Sequence, residues 1–116
     1  MPNLKDDCFQ SINGHCFCIE FHIGKQRRGF HCSHLIEYTL DENPEAKDNS
    51  NTPPEQLVLA FATADVLVSG WRLGRLASLL HENKLAIVGV QPKRSDESDA
   101  NKPCVTAITI TPITKP

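Results

Sequence analysis

Residues 15–34 read HCFCIEFHIGKQRRGFHCSH, and this stretch decides where the first strands of the fold lie. It contains four of the five histidines and three of the five cysteines of the chain. From Cys16 to Ile23 every second residue is Phe or Ile, while Cys, Glu and His occupy the positions between them. Strict alternation of this kind predicts a strand with one buried face.

The next segment, GKQRRG at residues 24–29, predicts a turn that leads into a second strand ending near Leu40. Its two glycines can take the positive φ angles that close a four-residue loop between them. Pairing these glycines with each other sets apolar side chains mostly opposite apolar ones. The same register places His22 directly opposite His31, so the sequence predicts a hairpin in which the two imidazoles are neighbours.

Residues 56–68 read QLVLAFATADVLV and are apolar at both alternate positions, which predicts a central strand buried on both faces. We expect a bulge near residues 63–65, where Thr and Asp interrupt the run. The other segments are assigned by composition: a strand at residues 85–91, a last strand that begins at Cys104 and ends at Pro112, and polar loops at residues 41–56 and 92–103.

The sequence predicts one helix, which begins after Ser69 because a serine side chain suits the N-cap position. Trp71 then lies in its first turn. Asn83 readily adopts the left-handed backbone conformation that ends a helix, so the helix stops there. Four apolar residues follow the spacing i, i+3, i+4 and i+7 and form the stripe that packs on the sheet: Leu73, Leu76, Ala77 and Leu80.

These elements fit a single domain over residues 1–116, with residues 1–14 as an N-terminal segment. Their order is β-β-β-α-β-β, which predicts an α+β fold: a mostly antiparallel five-stranded sheet with one amphipathic helix on one face. The opposite face also needs cover, because the central strand is apolar on both sides. Either the sheet curls into a half-barrel around the helix, or a second copy of the chain covers it.

The charge of the chain argues against several classes of partner. The formal net charge is −2 and the pI is about 6.2, so there is no overall attraction to nucleic acid or to anionic lipid. The first residues, MPNLKDDCFQ, lack the basic and apolar regions of a signal peptide, and the five cysteines are an odd number. We therefore expect a cytoplasmic protein with reduced thiols and no membrane contact.

The histidine pair is the first candidate site. His22 and His31, with side chains about 5 Å apart in the predicted register, would share a zinc ion. Glu20 lies one same-face position along the strand, which is about 6.5 to 7 Å away and makes a compact ligand set hard to close. A further ligand would have to come from elsewhere in the chain. The alternative is a polar strand face whose imidazoles and thiols need no cofactor.

The cysteines allow a third interpretation of the same stretch. Cys16 or Cys18, activated by a histidine, would act as a nucleophile, although no local motif indicates this chemistry. Cysteines on a strand also serve as small apolar side chains. Cys32 has the opposite parity in the predicted hairpin, so we expect it to point to the other face.

Asp65 is a second candidate because it lies inside an apolar run. An unpaired buried charge is costly, so the carboxylate must reach a partner, solvent or a helix N-terminus, and we expect it to pair with Arg72 or Arg75 or to satisfy a bulge. As a general base it would need a second titratable group nearby.

Basic and aromatic residues form the third candidate, a partner-binding surface. Arg27 and Arg28 lie in the predicted hairpin loop, while Trp71, Arg72 and Arg75 lie on the predicted helix. Together they would make a basic patch for phosphate or RNA. The alternative, which the acidic loops favour, is that the arginines are solvated surface residues and Trp71 lies partly in the core.

The sequence contains no P-loop, no GxGxxG turn, no nucleophile elbow and no zinc-finger spacing. We therefore expect a non-catalytic binding or regulatory module that associates with itself or with another protein through an apolar sheet face or edge. Two alternatives remain. One is a zinc-binding protein or metal-dependent enzyme that uses the histidine pair, and the other is an RNA-binding module that uses the 24–29 loop and the helix arginines.

Overall fold

The chain folds into two four-stranded sheets and one short helix, where the sequence predicts one five-stranded sheet. The structure, a computed structural model, describes residues 8–44, 52–90 and 102–113. The helix α1 spans Gly74–His81, and a 3₁₀ turn spans Cys32–His34. The strands are β1 (Phe9–Ser11), β2 (Cys18–Ile23), β3 (Gln26–His31), β4 (Leu35–Glu42), β5 (Glu55–Phe61), β6 (Ala64–Trp71), β7 (Leu85–Gly89) and β8 (Cys104–Pro112).

The two sheets differ in strand direction. The first, here called the mixed sheet, has the order β1-β7-β2-β3, in which β2 and β7 run parallel and the other neighbours run antiparallel. The second, here called the antiparallel sheet, has the order β4-β5-β6-β8. Within the described residues neither sheet is closed or curled, so the expected half-barrel is wrong. The expected α+β class with one helix is confirmed.

The predicted second strand is divided into β3 and β4, which belong to different sheets. The 3₁₀ turn carries the chain from one sheet to the other. Two residues explain the break, because a continuous strand would put His34 on its apolar face and Leu35 on its polar face. In the structure His34 is exposed and Leu35 packs against the core, which the turn and the following β-bulge make possible.

The predicted central strand over residues 56–68 is a hairpin. Strands β5 and β6 pair antiparallel and are joined by Ala62 and Thr63. In both strands the side chains of one face are buried, and those of the other face are largely half-buried. This explains why the run is apolar at both alternate positions. Ser69 and Trp71 belong to β6, so the predicted N-cap and the predicted first helical turn are wrong. Both residues have strand partners on β8, and this pairing delays the start of the helix.

The helix packs by the predicted stripe. Leu73, Leu76 and Leu80 are buried, and Leu79 is buried beside them. The backbone N–H of Leu73 donates a hydrogen bond of 2.6 Å to Oε1 of Glu55 on β5. This bond attaches the start of the helix to the antiparallel sheet.

Other boundaries follow the sequence. Asn83 has a φ of 59° and ends the helix as predicted, β7 lies within the predicted strand, and β8 ends at Pro112. Strand β1 was not predicted. No helix of the described residues is long and apolar enough to cross a membrane. Residues 1–7, 45–51 and 91–101, which include much of the predicted N-terminal segment and polar loops, lie outside the described residues.

Three buried phenylalanines join the sheets at the centre of the core. Phe21 on β2 and Phe30 on β3 come from the mixed sheet, and Phe61 on β5 comes from the antiparallel sheet. The rings of Phe30 and Phe61 stack with their centroids 4.5 Å apart and their planes at 20°. Phe21 packs edge-on against both rings at 6.0 and 6.2 Å. Such contacts add to the free energy gained by burying the rings.

Gly70 lies at a close approach of β6 and β8. The register of these strands shifts between Ser69 and Gly70. A Cβ atom on residue 70 would lie 1.9 Å from the carbonyl oxygen of Cys104, and the backbone cannot give way as a flexible side chain would. A Cβ atom on Gly29 of β3 would meet nothing within 4 Å.

We expect Gly70→Ala to lower the free energy of unfolding by about 3 kcal/mol or more, because β8 would have to move away from β6. Urea denaturation measures this loss. The matched control, Gly29→Ala, should stay within about 0.5 kcal/mol of the unsubstituted protein. Equal losses in the two variants would contradict the close approach of the strands.

The helix packing gives a second test. Leu76 is 0% exposed, so Leu76→Asp should unfold the domain by burying an unpaired charge in an apolar core. Ser78→Asp, at an exposed position of the same helix, should cost about 1 kcal/mol or less. Circular dichroism during thermal denaturation compares the variants. A thermal midpoint for Leu76→Asp as high as that of Ser78→Asp would show that the helix does not pack by this stripe.

Candidate functional site

The hairpin of β2 and β3 has a different register from the predicted one. Its loop consists of Gly24 and Lys25, with Gly24 at a φ of 60°, so Ile23 pairs with Gln26. Two-residue loops of this kind suit the twist of hairpin strands. Relative to the predicted pairing, each β2 residue lies opposite a β3 residue four positions earlier, as shown by His22 opposite Arg27.

The new register separates the predicted histidine pair. His31 lies opposite Cys18, which is two same-face positions from His22 along β2, or about 13 Å. The prediction of His22 and His31 as cross-strand neighbours is therefore wrong. Nε2 of His22 instead lies 2.6 Å from Oε1 of Glu20, and both side chains are partly buried. Among the described residues, no group of three or more His, Cys, Asp or Glu side chains is placed to hold a metal ion.

Three thiols, Cys16, Cys18 and Cys32, form a group that we call the thiol cluster. The Cys16 thiol donates a hydrogen bond to the carbonyl oxygen of Cys18. The Cys32 thiol lies within electrostatic range of both Cys16 and Cys18. Sγ of Cys18 lies 3.8 Å from Nδ1 of His31, which can take the thiol proton or donate its own. The three thiols are free of disulfides.

The pKa of the Cys32 thiol is raised from its usual 9.0 to about 12. Burial is the largest cause, because it penalises the thiolate. The neighbouring Cys16 raises the pKa further, and Cys18 contributes a smaller effect in the same direction. Cys32 therefore keeps its proton at neutral pH.

The 3₁₀ turn explains why the sequence reasoning missed this cluster. Alternation along one continuous strand puts Cys32 on the face opposite Cys16 and Cys18, but β3 ends at His31. The backbone N–H of Cys32 donates to the carbonyl oxygen of Phe17 at 2.7 Å, which continues the hairpin pairing by one step. The turn begins there, so the parity of the strand no longer applies to the Cys32 side chain.

An open cavity of about 430 Å³ lies beside the thiol cluster. Its wall includes Cys16, Cys32 and His31, together with Leu80 and Asn83 from the end of the helix. The backbone N–H of Cys16 donates to the carbonyl oxygen of Asn83 at 2.8 Å. The cavity therefore forms where the segment before β2, the 3₁₀ turn and the helix end come together.

The predicted basic surface is not one patch. Arg27 and Arg28 lie on β3, where consecutive side chains point to opposite faces. The Arg28 guanidinium lies over the ring of Phe30, 5.6 Å from its centroid. This contact holds Arg28 toward the core side of the mixed sheet.

The other members of that predicted surface lie beside the antiparallel sheet. Trp71 is the last residue of β6, and Arg75 is an exposed residue of α1. Arg72 has a φ of 56°, and its Nε donates to the carbonyl oxygen of Lys102 at 2.6 Å. This bond holds Arg72 against the segment that leads into β8.

Asp65 is exposed on β6, opposite Ala60 of β5 and Thr111 of β8. Solvent therefore reaches the carboxylate, and the expected pairing with Arg72 or Arg75 is wrong. The sequence misleads at this position because the run around Asp65 is a hairpin strand with an outer face.

The described strands leave four sheet edges, formed by β1, β3, β4 and β8. Strand β8 reads CVTAITITP and contains no charged residue. Its composition is visible in the sequence, but its place at an edge follows only from the order of the strands. Ala107, Thr109 and Thr111 are exposed on its outer face, while Ile108 is buried.

No protein-family model, curated protein or solved structure matches this chain.

The raised pKa of Cys32 predicts a specific alkaline instability. The unfolded thiol ionises near pH 9.0 and the folded thiol near pH 12, so the folded state binds more protons between these values. The contribution of Cys32 to stability is complete below about pH 9 and falls as the pH rises toward 12.

When the pH is raised from about 8 to about 10.5, we therefore expect the free energy of unfolding to fall less in Cys32→Ala than in the unsubstituted protein. Urea denaturation of both proteins at the two pH values measures the losses, and comparing each protein with itself removes the packing effect of the substitution. Identical losses would show that Cys32 does not titrate abnormally.

Proposed function

We propose that the protein is a non-catalytic binding module that associates with a second copy of itself by antiparallel pairing of β8 with β8. The uncharged edge of the antiparallel sheet is the observation that supports this proposal. An edge strand presents a row of unpaired N–H and C=O groups, and an exposed edge without protection pairs readily with another chain.

The other three edges carry features that hinder such pairing. Strand β1 has only three residues, and β3 carries Arg27 and Arg28. Strand β4 carries three carboxylates, Glu37, Asp41 and Glu42, which are all exposed. Charged side chains and short length are the usual means by which natural edge strands avoid pairing. Strand β8 has nine residues and neither means of protection.

The sequence of β8 suits pairing with itself. In a two-fold arrangement centred on Thr109, Ile108 lies opposite Ile110 of the second copy on the inner side of the sheet. Ala107 lies opposite Thr111 on the outer side, so no charges face each other. The result is a continuous eight-stranded sheet across an isologous interface, in which the backbone N–H and C=O groups at the two strand edges pair with each other. Strand β4 disfavours the corresponding arrangement about Thr39, because it sets Glu37 against Asp41.

We expect Thr109→Lys to weaken self-association by about tenfold or more, because a charge at the centre of the paired edges faces its own copy. Thr109 is exposed, so the folded monomer should tolerate the lysine. Sedimentation velocity over a range of concentrations, with light scattering after size exclusion, measures the dissociation constant.

The matched control is Thr39→Lys, which introduces the same side chain at an exposed position on the opposite edge of the same sheet. This variant should associate like the unsubstituted protein. An unsubstituted protein that remains monomeric at about 100 μM, where weak specific dimers form, would overturn the proposal. Weakening by Thr39→Lys alone would place the interface at β4.

A further inference from the structure

We propose that Cys16 and Cys32 are a redox-active dithiol, which a hydroperoxide entering the adjacent cavity converts to a reversible disulfide. This property is independent of self-association, since both thiols lie at the junction of the sheets and away from the β8 edge. Both thiols line the open cavity of about 430 Å³, and the backbone N–H of Cys32 donates to the carbonyl oxygen of Phe17, the residue next to Cys16. The second thiol needed for a disulfide is therefore present before oxidation.

The order of the two steps follows from the contacts of Cys32. Cys32 keeps its proton at neutral pH, so it does not attack the oxidant first. The electrostatic interaction with Cys16 adds to this effect and is lost when Cys16 is oxidised, so Cys32 can then supply the second sulfur. Cys16 is therefore the first sulfur to react and Cys32 the second.

The chemistry balances without a metal or a cofactor. The Cys16 sulfur attacks one oxygen of the hydroperoxide, the O–O bond breaks, and Cys16 becomes a sulfenic acid while the leaving oxygen takes up the proton of the Cys16 thiol. The Cys32 sulfur then attacks the Cys16 sulfur. The S–O bond breaks, and water leaves with the Cys32 proton. With hydrogen peroxide, two thiols and one peroxide give one disulfide and two waters, and an added thiol reduces the disulfide by exchange.

The disulfide would join two parts of the chain that meet only in the folded state. Cys16 precedes β2 and is attached to the end of the helix through Asn83, while Cys32 begins the turn between the two sheets. A bond between them would close the segment that contains the whole β2–β3 hairpin. Closing this loop restricts the unfolded chain, so the oxidised protein should be the more stable form.

The test begins with the unsubstituted protein, treated with hydrogen peroxide and analysed by mass spectrometry without reduction. We expect a monomer about 2 Da lighter, a linked peptide pair containing Cys16 and Cys32, and full reversal by dithiothreitol. Cys18 and Cys104 should remain available for alkylation after denaturation. The thermal midpoint should rise by about 5 °C or more on oxidation.

Two variants test the order of the steps. Cys32→Ser should stop at a Cys16 sulfenic acid that dimedone traps, whereas Cys18→Ser should form the Cys16–Cys32 disulfide at a rate within about twofold of the unsubstituted protein. A disulfide that includes Cys18, a disulfide between chains, or dimedone labelling of Cys32 in Cys16→Ser would overturn the assignment. Retention of all five thiols after peroxide treatment, in unsubstituted protein that keeps its circular dichroism spectrum, would overturn the proposal as a whole.

Discussion

The stacking of Phe30 on Phe61 ties the mixed sheet to the antiparallel sheet, and the rest of the structure depends on this contact. The two sheets share no strand in the described residues, so their association rests on side-chain packing. The ring of Phe21 packs edge-on against both members of the stack, and α1 completes the same core with its leucines. A chain with only 6% aromatic residues places three of its five phenylalanines at this junction. Burial of such large rings where two layers meet is a major source of stability for a small domain.

This core contact also selects the register of the hairpin. In the structure Phe30 lies opposite Ile19, so both side chains lie deep between the sheets, whereas the predicted register would set Phe30 beside the turn, opposite Ile23. The two registers differ by four residues, an even number, so each side chain keeps its face of the strand. Alternation therefore predicts which residues are buried, but it cannot distinguish registers that differ by an even shift. The two registers differ in loop length, and the sequence GKQRRG allows either two or four loop residues, so the local sequence does not choose between them.

The same limits explain what the sequence could and could not predict elsewhere. The helix stripe, the stop at Asn83 and the end of β8 depend on local spacing and backbone preference, and these predictions are confirmed. The division of the early strand at Cys32–His34 depends on which sheet each part joins, which is a property of the tertiary structure. The predictions of candidate sites are wrong for the same reasons. Separation of His22 from His31 follows from the register, exposure of Asp65 follows from the β5–β6 hairpin, and the proximity of Cys32 to Cys16 follows from the 3₁₀ turn.

The path of the chain after the helix explains why an uncharged strand lies at an edge. Strand β7 returns to the mixed sheet and inserts between β1 and β2, where both of its edges are paired. Strand β8 then crosses to the antiparallel sheet, in which β6 already pairs with β5, and the remaining position beside β6 is an outer one. Apolar β-branched residues on the inner side of β8 are explained by packing against the core, because Val105 and Ile108 are buried there. Packing does not explain the outer face of β8, where the exposed residues are threonines and an alanine instead of the charged residues that usually protect an edge strand. The proposed pairing with a second copy would account for this composition, because it would place β8 in the middle of a continuous sheet, where no charge is needed to protect an edge.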